Sequence, residues 1–407
     1  MKRITAKTIS MKRKIMTIAL TGMLACAMTA CGQNENTGNV TVSTSNRQYS
    51  AGIGAEVTNV LLDTTDLFSD RDLAQTTDLS SATTITVSDD ETIKITEEGI
   101  YVLQGTASDC VIMVDAGADA KVQLVLDGVN ITNQFSSVVY VESADKCFIT
   151  TTDSDNTLTV TGGFDDSETS GDAVVYAKDD LVLNGTGTLT INSAEGNGIS
   201  GKDEIRITGG TYSITGKLDG IEANDSIAIY DGNITINTSK DGLHSENDED
   251  DMVGWIYIAG GTFFMNVSDD VISAATFIVI DGGNFELTGS EGLEATYVQI
   301  NDGEVEISAS DDGINAGQKS DSYSTPTIEI NGGILTIAVG QGDTDAIDSN
   351  GDIIINGGTI DITATMSSFD YDGTAQYNGG TIIINGTQTD SIPEPQMGSM
   401  NGGFGRR

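Results

Sequence analysis

Between Gly209 and Gly380 one short phrase keeps returning, and it leaves few folds open. The phrase alternates apolar and polar residues on either side of a Gly-Gly or Asp-Gly pair. It runs from Ile205 to Ile214 in one copy and from Ile278 to Leu287 in another, and further copies end at Ile236, Met265, Ile307, Ile337 and Ile362. The first residues of the pairs fall at 209, 231, 260, 282, 302, 332, 357 and 379, in steps of 22, 29, 22, 20, 30, 25 and 22. A repeat of this length is the signature of a solenoid. Strict alternation is the period of a strand, and the glycine pair makes a corner.

A third short run follows each corner, as in Ile221–Ala223, Leu243–Ser245 and Leu293–Ala295. Each repeat therefore holds three short strands and three turns. It has no room for the crossover helix of a βαβ unit. The expected fold is an all-β, right-handed parallel β-helix, with coils stacked at about 4.8 Å and the hand set by the general preference of parallel crossovers. Stacking puts equivalent residues in columns. Tyr212, Ile234, Phe263, Phe285 and Val305 form one inward column, and Ile207, Ile229, Ile258 and Ile280 begin another. Their phase assigns the aromatic members to the core and not to a sugar platform. Phe264 and Tyr257 have the opposite phase and are the expected exposed aromatics.

Just before the third strand, successive coils carry Asp219, Asp241, Asp270, Glu291, Asp312 and Asp345. Three residues on stand Glu222, His244, Ser273, Glu294, Asn315 and Asp348, then Asp370. Both columns are expected along one outward edge. Carboxylates about 5 Å apart repel by roughly 3 kcal/mol per adjacent pair at an effective dielectric near 20, and by about 1 kcal/mol in open water. Such a ladder is costly unless cations sit in it, and oxygen-only ligands suit calcium. The expected ligands are Asp219, Glu222, Asp241, Asp270, Glu291, Glu294, Asp312, Asp345 and Asp348. A plain acidic turn is the alternative, since Asp-Gly is also good turn chemistry. It accounts for the Asp-Gly pairs but not for Glu291–Glu294 or Asp345–Asp348. Glu246, Asp248 and Asp250, in the insertion that lengthens one coil, make a second candidate metal loop or simply a charged loop.

The chain has 407 residues and a net charge of −42. Phosphate binding needs a basic face, so nucleic acid is not an expected partner. Residues 1–31 read as a lipoprotein signal peptide. Lys12–Lys14 form its charged region, an apolar run follows from Ile15 to Ala30, and Cys31 is the expected lipidation site. Cys26 competes as a lipidation site behind a shorter apolar run. Met11 competes with Met1 as the start. The apolar run is short for a membrane span. Residues 32–55, rich in Asn, Thr, Ser and Gly, read as a flexible tether. Residues 56–160 read as N-terminal β-rich capping coils, 161–390 as the regular β-helix, and 391–407 as a disordered tail. Asn197 occupies the acid position one coil before Asp219, so the ladder is expected to begin at Asp219. Cys110 and Cys147 allow either a disulfide or buried free thiols. The expected location is extracytoplasmic, on a lipid anchor at the membrane surface, and the chain is expected to be a monomer.

Three phrases carry a family resemblance: Val125–Thr132, Asp241–Asp250 with the following Ile256–Phe263, and Phe369–Gly373. Together they resemble the carbohydrate-binding β-helix family of bacterial surface proteins, whose fold is similar to that of pectate lyases. The resemblance covers roughly Glu56 to Gly386. It implies a right-handed β-helix, calcium on acidic loops, and non-catalytic binding of cellulose or pectin-like polysaccharide.

The leading expectation is therefore a calcium-carrying surface protein that bridges uronate carboxylates through its metal, with neutral glucan on a flat sheet face. A calcium-dependent polysaccharide lyase is the first alternative. It needs a base beside the metal, and Lys217 and Lys240 each lie within two residues of the ladder. Surface lysines neutralising nearby acids are the plainer reading of both. A structural or adhesin spacer is the second alternative. His244, the only histidine, is expected as a turn residue bonded to carboxylates.

Overall fold

The computed structural model describes residues 61–165, 171–247, 249–342 and 344–395. Cys31, Asp248 and most of the 391–407 tail lie outside them. One coil consists of strands Glu204–Ile207, Thr211–Gly216 and Ile221–Ala223, and the next of Ser226–Ile229, Asn233–Thr238 and Leu243–Ser245. Each strand pairs in parallel with its counterpart one coil on: Ile207 faces Ile229, Tyr212 faces Ile234 and Ile221 faces Leu243. The same pattern repeats to Thr381–Ile384, so the fold is a parallel β-helix.

The glycine pair makes its corner by one specific means. Its second member has positive φ, 117° at Gly283, where a Cβ would come 2.9 Å from the Phe285 ring. An L side chain there would meet both backbone strain and its neighbour. The glycine that follows Asp219, Asp241, Glu291 and Asp312 is needed for another reason. A Cβ on Gly220 would stand 2.6 Å from Ile236 and 2.7 Å from the Gly242 carbonyl of the next coil. That glycine permits close stacking of coils.

The inward columns form one continuous core. Ile207, Ile229, Ile258, Ile280, Ile300, Ile330 and Ile355 are all fully buried. Tyr212, Phe263 and Phe285 are buried as well, with the two phenylalanine rings stacked 4.5 Å apart. Cys110 and Cys147 are buried free thiols, and burial pushes Cys147 up to about 12.

Parallel strand stacking begins before the regular repeat. Thr83–Thr86 pairs in parallel with Gly99–Ser108, which pairs with Val111–Asn133, which in turn pairs with Val139–Thr151. Register shifts between Val114 and Lys121 account for the weaker periodicity of this part of the sequence. At the far end the chain reverses through Asn385 and Gly386, with φ of 50° and 76°. That two-residue turn makes an antiparallel hairpin, and Thr387–Thr389 covers the last strand.

Residues 61–75 run along the outward face of the first-strand sheet as a strap. Phe68 meets Tyr230 edge-on at 5.5 Å and Tyr257 at 6.4 Å. Arg206 Nε donates to the Leu67 carbonyl at 3.0 Å, Lys146 Nζ lies 3.2 Å from Asp72 Oδ1, and the Arg71 guanidinium sits 4.5 Å above the Phe148 ring. Tyr257 therefore departs from expectation. It points outward as its phase requires, yet it is buried with Phe277, Val279 and Tyr297 beneath Leu61, Leu62, Leu67 and Phe68. Phe264 is 45% exposed, as expected.

Candidate metal-binding edge

Both acid columns assemble. In the second, Glu222 pairs with His244, His244 with Ser273, Ser273 with Glu294, Glu294 with Asn315, Asn315 with Asp348 and Asp348 with Asp370. The first column is more buried than a solvated edge would be: Asp219 is 2% and Asp241 5% exposed. Its burial is compensated by a ladder of hydrogen bonds along the axis. Asn197 Oδ1 accepts from the Asp219 amide at 2.8 Å, Asp219 Oδ1 from Asp241 at 3.0 Å, and Asp241 Oδ1 from Asp270 at 3.0 Å. Asp312 Oδ1 accepts from Asp345 at 2.7 Å. Asn197 is thus the first rung, since an amide oxygen serves this bond as well as a carboxylate does. One oxygen each of Asp219, Asp241 and Asp312 accepts the N–H of the next rung, and the second oxygens of Asp219 and Asp241 face Lys240 and His244.

The outward oxygens form three linked groups in which ligand atoms lie within 4.8 Å of one another: Asp219, Asp241 and His244; Asp241, Asp269 and Asp270; Asp270, Glu291 and Glu294. The first group carries its own positive charge. Lys240 Nζ lies 2.8 Å from Asp219 Oδ2, and His244 Nδ1 is 3.5 Å from Asp219 Oδ2 and 3.4 Å from Asp241 Oδ2. Burial works against the Asp219 carboxylate, but His244 and Lys240 outweigh it and hold its pKa below the usual range. Burial likewise opposes charge on His244, and Asp219 and Asp241 reverse this, raising its pKa.

The far end of the third group is compensated too, because Lys319 is bonded to Glu294 Oε2 and lies 3.1 Å from Ser273 Oγ. Burial raises the Glu294 carboxyl, and Lys319 brings it below its usual value. Between the two lysines, among the described residues, no cation pairs with Asp269, Asp270 or Glu291, and His244, 3.4 Å from Asp241, does not outweigh that residue's burial. Burial, then the neighbouring Glu294 and Glu291, push Asp270 up to about 8. Burial and Glu294 take Glu291 to about 7. Burial and Asp219 take Asp241 to about 6. This middle stretch offers carboxylate oxygens only, which is the donor set of a hard divalent cation. The Asp219 group, with its imidazole and ammonium, fits one less well.

Of the other expected ligands, Glu222 turns away from this stretch: Asn197 Nδ2 donates to it at 2.8 Å and Ser200 Oγ at 3.2 Å. Asp312, Asp345 and Asp348 make a separate acidic stretch further along, where burial and then Asp312 and Asp345 raise Asp348 to about 7. In the insertion, Glu246 Oε2 lies 3.3 Å from His244 Nε2, and Asp250 Oδ1 accepts from the Met252 amide at 2.9 Å. Among the described residues Glu246 and Asp250 join no group of three ligands. Lys217 is exposed. The sequence reading missed two participants. Asp269 was signalled by the unusual Asp269–Asp270 doublet. Lys319 lies 25 residues from its partner, and only the stacking of coils brings them together.

A cleft of about 530 Å³ opens beside the first group, lined by Lys202, Glu222, His244, Glu246 and Asn247 among others. Its size lies within the range of small-ligand sites, roughly 300–1,000 Å³.

A family described as carbohydrate-binding domain-containing protein matches residues 89–346, a span that includes the acid ladder from Asp219 to Asp345. A protein of Acetivibrio thermocellus with the same description is 44% identical over 200 residues, which are 48% of this chain and 70% of that one. A solved structure described as the polysaccharide lyase-like protein from C. thermocellum, a gadolinium derivative, aligns over 58% of this chain and 96% of its own, at 29% identity and a TM-score of 0.47. The chain belongs to the family of carbohydrate-binding domain-containing proteins.

Proposed function

We propose that this is a lipid-anchored, extracytoplasmic binding protein that holds calcium on its acidic edge and uses it to bind uronate polysaccharide of the pectin type. The observation that carries the reading is the placement of Lys240 and Lys319. They neutralise the two ends of the linked groups; between them, among the described residues, Asp269, Asp270 and Glu291 pair with no cation from the chain, and Asp241 has only His244 at 3.4 Å. These four residues, with Glu294, would hold the ion. Calcium would supply a positive charge shared by the protein's carboxylates and those of the sugar. The chain's own part is to fix the oxygens, through the amide ladder that locks Asp241, and to present the cleft beside His244 for a sugar ring. Lipid anchoring follows from Cys31 and the apolar run before it.

The lyase alternative is weaker on one specific ground. A general base must be available unprotonated near neutral pH. Burial alone would favour neutral Lys240, but its contact with Asp219 outweighs this and raises its pKa. The test is retention of the protein on immobilised polygalacturonate with calcium and with a chelator. Retention that vanishes with the chelator and returns with calcium supports the reading, and retention unchanged by the chelator refutes it.

A further inference from the structure

Where the strap runs off the first-strand sheet, the surface changes sign. The outward column of that sheet passes from Phe148 to Gln123 to Ile100. The strap covers it as far as Phe148, and beyond that a pocket of about 590 Å³ opens. One wall comes from the strap and the segment after it, with Arg71, Thr76, Thr77 and Ser81, and the other from the first coils, with Glu98 and Lys121. The lining thus holds two cations and one carboxylate, the reverse of a chain whose net charge is −42. Two arginines lie among the described residues. Arg206 is paired with Asp180 and Glu204. Arg71 pairs with no carboxylate among the described residues. Gln123 Oε1 accepts from its Nη2 at 3.4 Å, and the Phe148 ring lies 4.5 Å from its guanidinium. Gln123 is itself buried and fixed, its Nε2 donating to Thr150 Oγ1 at 3.0 Å. A guanidinium carries five N–H donors, so Arg71 is held in place with most of them unbonded. Lys121 Nζ is 3.5 Å from Asp145 Oδ2, but both side chains are nearly half exposed, and such a pair is weak enough to exchange for another anion. The hydroxyls of Thr76, Thr77 and Ser81 bond to no group among the described residues.

We propose that this pocket binds one phosphoryl group carried on a small uncharged polyol, as in a sugar phosphate or a glycerol phosphate. The proposal goes beyond the reading above and rests neither on calcium nor on polysaccharide. The planar guanidinium fork of Arg71 matches phosphate geometry, and Lys121 adds a point charge beside it. Two cations and three hydroxyls offer more donors than the two oxygens of a carboxylate can use, whereas a phosphate monoester presents three strong acceptor oxygens. The volume lies within the range of small-ligand pockets, roughly 300–1,000 Å³, and leaves room beside the phosphoryl group for the body that carries it. That body must be small and uncharged. At a net charge of −42 the surface beyond the pocket repels every further phosphate or carboxylate, which excludes a polyanion. Arg71 stands on the strap and Lys121 on the strand Val111–Asn133, so one bound ligand pins the strap to the helix.

The experiment is calorimetric titration of the calcium-free protein at low salt with glucose 1-phosphate, inorganic phosphate, galacturonate and glucose. Glucose 1-phosphate is expected to bind one to one and to raise the denaturation midpoint, because it holds the strap in place. Inorganic phosphate and galacturonate are each expected to bind at least tenfold more weakly, and glucose not at all. Arg71→Lys keeps the charge but loses the fork, and is expected to weaken glucose 1-phosphate binding at least tenfold; Lys121→Met is expected to weaken it severalfold. Glu98→Gln removes the one carboxylate from the lining and is expected to tighten binding severalfold, a change that damage to the fold cannot produce. No heat from glucose 1-phosphate, equal affinity for it and for inorganic phosphate, galacturonate or glucose, wild-type binding by Arg71→Lys, or a Glu98→Gln variant that binds no more tightly would each overturn the proposal. Calcium is absent throughout, so failure here leaves the acidic-edge reading untouched, and failure of that reading leaves this pocket standing.

Discussion

Lys240 lies 2.8 Å from Oδ2 of Asp219, a carboxylate whose side chain is only 2% exposed, while the lysine itself is 40% exposed. The pair marks one end of the stretch in which Asp269, Asp270 and Glu291 have no cationic partner among the described residues. Removing the lysine leaves Asp219 buried with His244 as its remaining cationic partner. Lys240→Met is expected to destabilise the calcium-free protein by about 1–2 kcal/mol, less than a fully buried pair because of the lysine's exposure. A lower urea midpoint in chelator, partly restored by calcium, is the expected result. The same variant tests the lyase alternative: neither it nor wild type is expected to release unsaturated uronide from polygalacturonate, measured by ultraviolet absorbance.

The strap makes a separate demand. Phe68 packs against Tyr230 and Tyr257, and Leu67 offers its carbonyl to Arg206. Phe68→Ala is expected to cost about 2 kcal/mol, below the value for a fully buried phenylalanine because this ring is half-buried. Chemical denaturation measures it. Calcium affinity should not move, since the strap lies on the first-strand sheet, away from the acid edge.

A pH dependence follows from Asp203. Burial, then the hydrogen bond with Asp225 and the charge of Asp180, push its carboxyl up to about 7. A raised folded pKa means that the native state binds the proton more tightly than the unfolded chain does. The associated stability is present below pH 4 and is lost as pH rises towards 7. Asp203→Asn keeps the shape and removes the titration. The variant should therefore gain stability relative to wild type between pH 4 and pH 7, read as the difference in denaturation midpoints.

The coil was legible in the sequence because stacking forces a strict period. Every inward isoleucine from Ile207 to Ile355 could be placed from spacing alone, and so could the pairing of Glu222 with His244. What spacing could not give was cover. Tyr257 has an outward phase, but phase says which side of a sheet a residue takes and not what lies on that side. The strap that buries it comes from residues 61–75, whose apolar members Leu61, Leu62, Leu67 and Phe68 follow no repeat. The ladder's charge balance was hidden for a similar reason. Lys319 reaches Glu294 from a loop, and no motif links the two. The glycine after Asp219 looked like turn chemistry, whereas Gly220 makes room for the next coil.

The central claim, a cation held between Asp241 and Glu294, is tested most directly by calorimetric titration of calcium into wild type and into Asp270→Asn with Glu291→Gln. The double variant removes the uncompensated charge while keeping the size of both side chains. Wild type should give a saturable isotherm, and the variant should lose at least tenfold in affinity while becoming more stable than wild type in chelator, because the repulsion is gone. Equal isotherms for the two proteins, or no calcium heat from wild type, would contradict the account.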